Sequence, residues 1–488
     1  MSPETQSSPP RHLTATLLLA CLAQFMVILD VSVVNVALPA IRGGLHFSEV
    51  DLQWVVNAYT VTFAGFLLLG GRAADMLGRR KVFVVGLIVF ALASLAGGVA
   101  GSQAVLIGAR AIQGLGGAII APASLSILTT TFEEGHARNR AVGIWGAMGG
   151  VGGAVGVLLG GVITDLLTWR WILFINVPIG LLAAFAAQRL IMESRNERGT
   201  RDFDLLGALS ATVGLSLLVL GIVRTDQTGW GSAPTLALIA AGLVLLAVFV
   251  LIEGRFARAP LMPLRIYRSR TLSAANIVVL LVGAASFGMW FFLSLYLQQV
   301  LGYSPIRAGL AFLPMSLTVA VFSTVASRFV IRIGAKPMLV AGMASLTVGL
   351  ALFAQVSPTG TYLGEIIAPS LLVAVGIGLS FVPATICAVA GVAPAEAGLA
   401  SGLVNTARLF GGALGLAILA ALATSRTDHQ LSHAGASMHA ALTSGFQLAF
   451  LVSAGFTLVG GLVAAFGLPR LAQRSAASAA AVAPVESA

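Results

Sequence analysis

GRAADMLGRRKVFVVGL, residues 71–87, has a weaker second copy in the same chain, SRFVIRIGAKPMLVAGM, residues 327–343. The two align without gaps, Arg72 on Arg328, Gly78 on Gly334, Val84 on Val340 and Gly86 on Gly342. One offset of 256 residues is weak by itself, but GGAIIAPA (116–123) resembles IGLSFVPA (377–384) at 261 and GGAVGV (152–157) resembles GGALGL (411–416) at 259. Three similar offsets in chain order indicate a parallel duplication of one large unit.

Composition says what that unit is made of. Of 488 residues, 58% are hydrophobic and 9% charged, with a mean hydropathy of +0.96; soluble domains carry roughly 25% charged residues. Crossing ~30 Å of hydrocarbon takes about 17 to 25 apolar residues in a helix. Fourteen stretches qualify: 13–37, 52–70, 82–101, 104–128, 141–163, 171–190, 205–223, 234–252, 273–297, 308–330, 338–356, 362–390, 400–423 and 442–468. The first is too long for a cleaved signal peptide and lacks a small-residue cleavage site, so it counts as a span. Cys21 and Cys387 both lie in apolar runs and read as small core residues, not a disulfide framework. The chain is therefore expected to be an all-α polytopic membrane protein. With spans two to five repeated as ten to thirteen, it divides into a six-span half (1–200), two inserted spans (201–258), a second six-span half (259–472) and a disordered cytoplasmic tail (473–488). Two six-span halves in parallel orientation are typical of a large class of secondary transporter.

Basic residues set the orientation. With the N-terminus inside, inner segments hold 21 of the 28 Lys and Arg, outer loops hold five, and Arg110 and Arg408 fall inside spans. This bias puts both termini in the cytoplasm, of a plasma or inner membrane. It also accounts for the net charge of +10 as topology and not as a nucleic-acid surface, because the charge is spread over many short loops.

Several motifs then occur in order. LDVSVVNVALP (29–39) lies in span one, GRAADMLGRRK (71–81) joins spans two and three, and RAIQGLGGA (110–118) lies in span four. WRWILFINVPIG (169–180) follows span five, LYLQQVLGYSPIRAGLAFLP (295–314) ends span nine, and SGLVNTARLFGGALG (401–415) lies in span thirteen. Together they resemble the major facilitator superfamily, and within it the fourteen-span drug:proton antiporters of the EmrB/QacA type, over nearly the whole chain. The resemblance implies a major facilitator fold of two six-helix bundles plus two extra helices. It implies proton-coupled efflux of amphipathic drugs or antibiotics, with the proton gradient as energy source and no cofactor. It marks Asp30 and Arg110 as important for proton coupling, and Gly71, Asp75, Gly78, Arg79 and Arg80 as a cytoplasmic gate loop that latches the two halves in the outward-open state. The second copy has Ile331 opposite Asp75, so only the first keeps the acid.

The residues support this independently. Asp30 and Arg110 each lie some 6 residues inside the outer end of their apolar runs, roughly 9 Å deep at ~1.5 Å per residue, so depth allows a pair. A charge at the bilayer centre costs about 3 kcal/mol on insertion scales, so an intramembrane carboxylate points to function. The bland reading of Asp30 is a neutral, hydrogen-bonded structural carboxyl, and of Arg110 a structural clamp. Arg110, Gln113, Gly114, Gly117 and Ala121 share a face of span four within about 100°, small residues allowing close helix contact. On span one, Gln24 and Asn35 point together but some 120 to 140° away from Asp30, as on a helix surrounded by protein or lining a cavity.

Other candidates follow by position. Gly146, Gly149, Gly150, Gly153, Gly160 and Gly161 make a small-residue stripe on span five for packing or hinging, with Gly156 in the same run. Antiporters of the superfamily usually carry G-x-x-x-G-P-x-x-G-G here; this chain has Val157 in the proline position. Asn405 and Arg408 share a face of span thirteen and are cavity candidates with Gln24, Asn35 and Gln113. Arg408 could meet substrate or bond to backbone carbonyls. Glu365 is a second acidic candidate or, as favoured, an interfacial charge. His429, His433 and His439 read as residues of a solvated outer loop, and no metal site is expected. No filter-like sequence, catalytic constellation or phosphate loop argues for a channel, an enzyme or direct ATP drive. An exporter of an endogenous metabolite, amino acid, siderophore or lipid on the same fold stays open. The expected partners are a small amphipathic substrate, protons and the lipid bilayer; a monomer suffices, and the oligomeric state stays open.

Overall fold

The computed structural model describes residues 11–133, 136–195, 204–257, 260–390, 392, 396–433 and 436–469. The expected tail, 473–488, and the domain junctions near 200 and 258 lie outside the described residues. Among the described residues fourteen helices are long and apolar enough to cross a membrane. They are span one Leu13–Leu45, two Glu49–Leu77, three Arg79–Gly98, four Gln103–Thr131, five Arg140–Leu166, six Trp171–Leu190 and seven Leu205–Thr225. Span eight is Ala233–Phe256, nine Arg270–Val300, ten Pro305–Val330, eleven Ala335–Phe353, twelve Tyr362–Ala390, thirteen Ala397–Ser432 and fourteen Met438–Gly467.

The duplication is visible in the packing. Span one packs on five, two on four, and three on four and six; in the second half nine packs on thirteen, ten on twelve, and eleven on twelve and fourteen. The halves meet in two matching seams, five against ten and two against thirteen. Gly78 and Gly334, aligned in the sequence repeat, both break the chain between helices at φ +111° and +92°. That left-handed backbone is open to glycine without steric cost, which explains why both copies keep it. The inserted spans pair with each other, and span seven docks on spans two and thirteen.

At the end remote from loop 71–81 the halves close on each other, span nine against span one and span ten against span five. There Ser294 donates to the Asn35 carbonyl at 2.7 Å and Gln298 to the Val36 carbonyl at 2.9 Å, while Gly161 lies against Pro305 and Ile306. Toward loop 71–81 a side chain added at Gly143, Gly146 or Gly149 would meet nothing within 4 Å. Along span five the halves therefore touch from Gly150 to Gly161, and the glycines nearer loop 71–81 border open space.

Helices outrun the apolar stretches that announce them, because backbone hydrogen bonding continues past the hydrocarbon boundary. This corrects one expectation: the helix of span thirteen runs Ala397–His433, so His429 and His433 lie on it and not in a loop. His439 lies in the first turn of span fourteen.

Candidate functional site

Asp30 is completely buried within the first half, and both carboxylate oxygens are occupied. Its Oδ2 accepts from Arg110 Nη1 at 2.6 Å; its Oδ1 accepts from Gln113 Nε2 at 2.7 Å and Asn176 Nδ2 at 2.9 Å. Gln113 ties the donors together, accepting from Arg110 Nη1 at 2.7 Å through Oε1 and donating to Ser94 Oγ at 2.6 Å. Arg110 Nε donates to the Val55 carbonyl of span two at 3.0 Å, and its guanidinium lies 4.5 Å from the centroid of the Tyr59 ring. Five helices thus converge on one network around this carboxylate: spans one, two, three, four and six.

The glycines of RAIQGLGGA make the convergence possible. Gly114 lies directly against the Tyr59 carbonyl of span two, and Gly116 against the Phe90 backbone of span three, where an added Cβ would come within 2.8 Å of Phe90 N. Without side chains there, span four approaches both neighbours closely enough for Arg110 and Gln113 to reach across. Such a buried pair adds little to folding compared with apolar packing, but removing one partner alone strands a charge, at about 3–5 kcal/mol.

Equal depth along spans one and four allows Asp30 to meet Arg110, and the structure joins them in an ion pair. Gln113, expected in a cavity, is instead 1% exposed and part of this network, because span four turns its polar face into the bundle. Asn176 and Ser94 were missed. Asn176 stands in the quoted WRWILFINVPIG, where an amide amid apolar residues was the available signal. Its Oδ1 is buried with no hydrogen-bond partner, as is the Tyr59 hydroxyl.

The remaining candidates are scattered. Asn35 Nδ2 donates to its own helix at the Val31 carbonyl, 3.0 Å, and Gln24 Oε1 is buried without a partner. Glu365 accepts from the Ser357 backbone N–H at 2.7 Å and the Ser357 hydroxyl at 2.9 Å. It therefore holds the connection between spans eleven and twelve, at the helix end where an interfacial charge is expected. Arg408 bonds not to backbone but to Asn405 Oδ1, at 3.0 and 3.3 Å. Span five's glycines split between faces: Gly152, Gly156 and Gly160 pack on span one, whereas Gly150 faces Ala320 and Gly161 faces span ten. A Cβ added at Gly153 would stand 4.0 Å from Ser32 Oγ, and Val157, in the proline position, is buried with its carbonyl against Gly309.

In loop 71–81, Asp75 pairs with Arg79 at 2.8 Å and accepts from Ser126 at 3.0 Å, all within the first half. Arg80 belongs to a different acid: Glu193, after span six, lies 3.7 Å from Arg80 Nε and accepts from the Arg80 and Lys81 backbone N–H groups, both at 3.1 Å. A carboxylate at the first turn of span three meets its unsatisfied N–H groups and the positive end of its dipole. Gly78 leaves room for Glu193, whose Oε1 is 2.7 Å from where a Cβ would stand, and Gly71 lies beside Pro122. Arg72 donates to the Pro260 carbonyl at 3.1 Å and so links this loop to the segment that enters the second half.

Comparison with known proteins agrees with this architecture. Residues 20–416 match the family model described as Major Facilitator Superfamily. The chain is 46% identical over 417 residues to the cephamycin export protein CmcT of Amycolatopsis lactamdurans, covering 85% of this chain and 86% of that protein. It is 39% identical over 448 residues to the puromycin resistance protein pur8 of Streptomyces alboniger, covering 91% and 88%. A bacterial homolog of the human lysosomal transporter Spinster, solved inward-facing and unoccupied, superposes with a TM-score of 0.66 at 15% identity, covering 94% of this chain and 98% of that one. This last likeness speaks to fold alone. The chain is a membrane transporter, not an enzyme, and it belongs to the Major Facilitator Superfamily.

Proposed function

We propose that this chain exports antibiotic-type drugs by alternating access, exchanging each substrate for protons, from a plasma membrane in which both termini are cytoplasmic. The observation that carries the proton half is Asp30: a carboxylate closed inside a helical bundle with an arginine that cannot deprotonate. The drug half is supported by similarity, over most of the chain, to proteins named for cephamycin export and puromycin resistance.

The geometry suggests how a proton is taken up. As a carboxylate Asp30 only accepts hydrogen bonds; once protonated it must also donate one. Asn176 supplies the acceptor, since rotating its amide presents the unpartnered Oδ1 to Asp30 and withdraws Nδ2. Arg110 then loses its counter-charge, and the packing of spans one and four that depends on the pair is released. In the proposed orientation, with loop 71–81 inside, the closed seam at Asn35, Ser294 and Gln298 is the outer gate.

The test is a compound panel applied to pump-deficient cells that express the chain. Tolerance should rise for a set of amphipathic antibiotics and vanish when an uncoupler collapses the proton gradient. Equal drug accumulation with and without the chain would contradict export, and export indifferent to the uncoupler would contradict proton coupling.

A further inference from the structure

Two arginines lie inside spans, and their surroundings differ. Arg110 has a carboxylate, an amide oxygen, a backbone carbonyl and an aromatic face. Arg408, on span thirteen, has one neutral oxygen, Asn405 Oδ1, shared by Nε at 3.3 Å and one Nη at 3.0 Å, and lies 5.5 Å from the centroid of the Phe381 ring. Among the described residues no carboxylate pairs with it. A guanidinium has five N–H donors, so most of its bonding capacity and its whole charge are uncommitted.

A second group lies across the seam of spans two and thirteen, in the other half. Tyr59 of span two is 2% exposed and shares one buried apolar cluster with Phe63 and with Leu409, the residue after Arg408, where span two packs on span thirteen. Its hydroxyl has no hydrogen-bond partner, although the ring is fixed by Arg110 on one side and by Phe63 at 5.6 Å. Gly117 leaves the hydroxyl its space: an added Cβ would come within 2.9 Å of the Tyr59 oxygen. A buried hydroxyl without a partner costs about 1–3 kcal/mol, and an intramembrane cation without a counter-charge costs more. Both deficits lie where spans two and thirteen meet, and one oxyanion would remove both.

We propose that Arg408, Asn405 and the Tyr59 hydroxyl bind the anionic group of the transported molecule, a carboxylate in the first instance, with its apolar body against Phe381. Arg408 supplies charge and paired N–H donors, and Tyr59 supplies an O–H from the opposite half. A substrate held this way cancels the uncommitted charge and bridges the two halves. Because Tyr59 also stacks on Arg110, the anion site adjoins the Asp30 network through a single ring. The assignment deepens the export reading and rests on it for the word substrate, but the binding site can be tested without transport.

The probes are dansyl-phenylalanine, an amphipathic carboxylate, and its neutral methyl ester, titrated by fluorescence against the purified full chain in lipid nanodiscs. The native protein should bind the acid about tenfold or more tightly than the ester, as for a desolvated charge pair. Arg408→Gln should abolish that preference by weakening the acid and leaving the ester unchanged, Arg408→Lys should keep most of it, and Tyr59→Phe should weaken the acid alone by a few-fold. Melting temperatures of the variants separate binding from folding, and Arg408→Lys serves if Arg408→Gln fails to fold. Equal affinity of the native protein for acid and ester, or equal loss of both in Arg408→Gln, overturns the proposal. In cells, a chain that confers no drug tolerance but still prefers the acid through Arg408 would overturn the export reading and leave the anion site standing.

Discussion

The two halves share one helical arrangement and differ in what fills it. Phe25 and Leu29 lie against Gly152 and Gly156 as Leu280 and Ala284 lie against Gly411 and Gly415. Likewise Gly116 lies against Phe90 as Gly376 lies against Leu346, and Gly86 against Ile119 and Ile120 as Gly342 against Leu379 and Ser380. In that register Asp30, Ser94, Arg110 and Gln113 correspond to Ala285, Leu350, Ser370 and Val373, all buried. The second half therefore builds the same packing with no ion pair at its centre, and fills its core with Phe291, Phe292, Phe353, Phe446 and Phe450 instead. The fold does not need the charges of the first half. Their presence there, against the cost of burying them, is what points to function.

The comparison can be broken by making the first half more like the second. Arg110→Ala leaves Asp30 buried without its counter-charge and should cost about 3–5 kcal/mol, seen as a large fall in melting temperature or in folded yield. The combined variant Asp30→Ala, Ser94→Leu, Arg110→Ser, Gln113→Val should be more stable than Arg110→Ala alone while losing proton-driven export. If it is less stable, the network is a folding requirement and the comparison fails. Smaller effects probe the glycines: Gly156→Leu pushes span five off Leu29 and Ser32 and should cost about 1–3 kcal/mol by overpacking, whereas Gly146→Leu enters open space and should change stability by about 0.5 kcal/mol or less. Matching losses at both positions would contradict the split of the glycine stripe. Smallest is Asp75→Asn. Asp75 is half-exposed and its pair with Arg79 is local, so about 1 kcal/mol or less is expected in a chemical melt.

What was legible in the sequence follows from what sequence encodes directly. Apolar runs gave fourteen spans, offsets gave the duplication, and depth along two helices allowed Asp30 to meet Arg110. Lateral placement is not encoded by depth, so Asn176 and Ser94, which approach Asp30 and Gln113 from spans six and three, stayed hidden, and Gln113 was placed in a cavity. Glu193 was invisible for the same reason: it is over a hundred residues from the loop it caps. The packing also corrects the repeat, since Gly116 corresponds to Gly376, an offset of 260 where the motif alignment gave 261. One residue on a helix turns a side chain by about 100°, enough to exchange the residue facing Arg110's position from Leu371 to Ser370.

The central claim is that Asp30 carries the proton, and reconstituted vesicles address it most directly. With the native chain, an imposed proton gradient should drive an exported antibiotic against its own concentration gradient while protons move the opposite way in fixed ratio. Asp30→Asn keeps the shape of the site and removes the titrating group, so it should leave only downhill drug movement with no accompanying proton flux. Uphill export by Asp30→Asn with the native proton ratio would contradict the account.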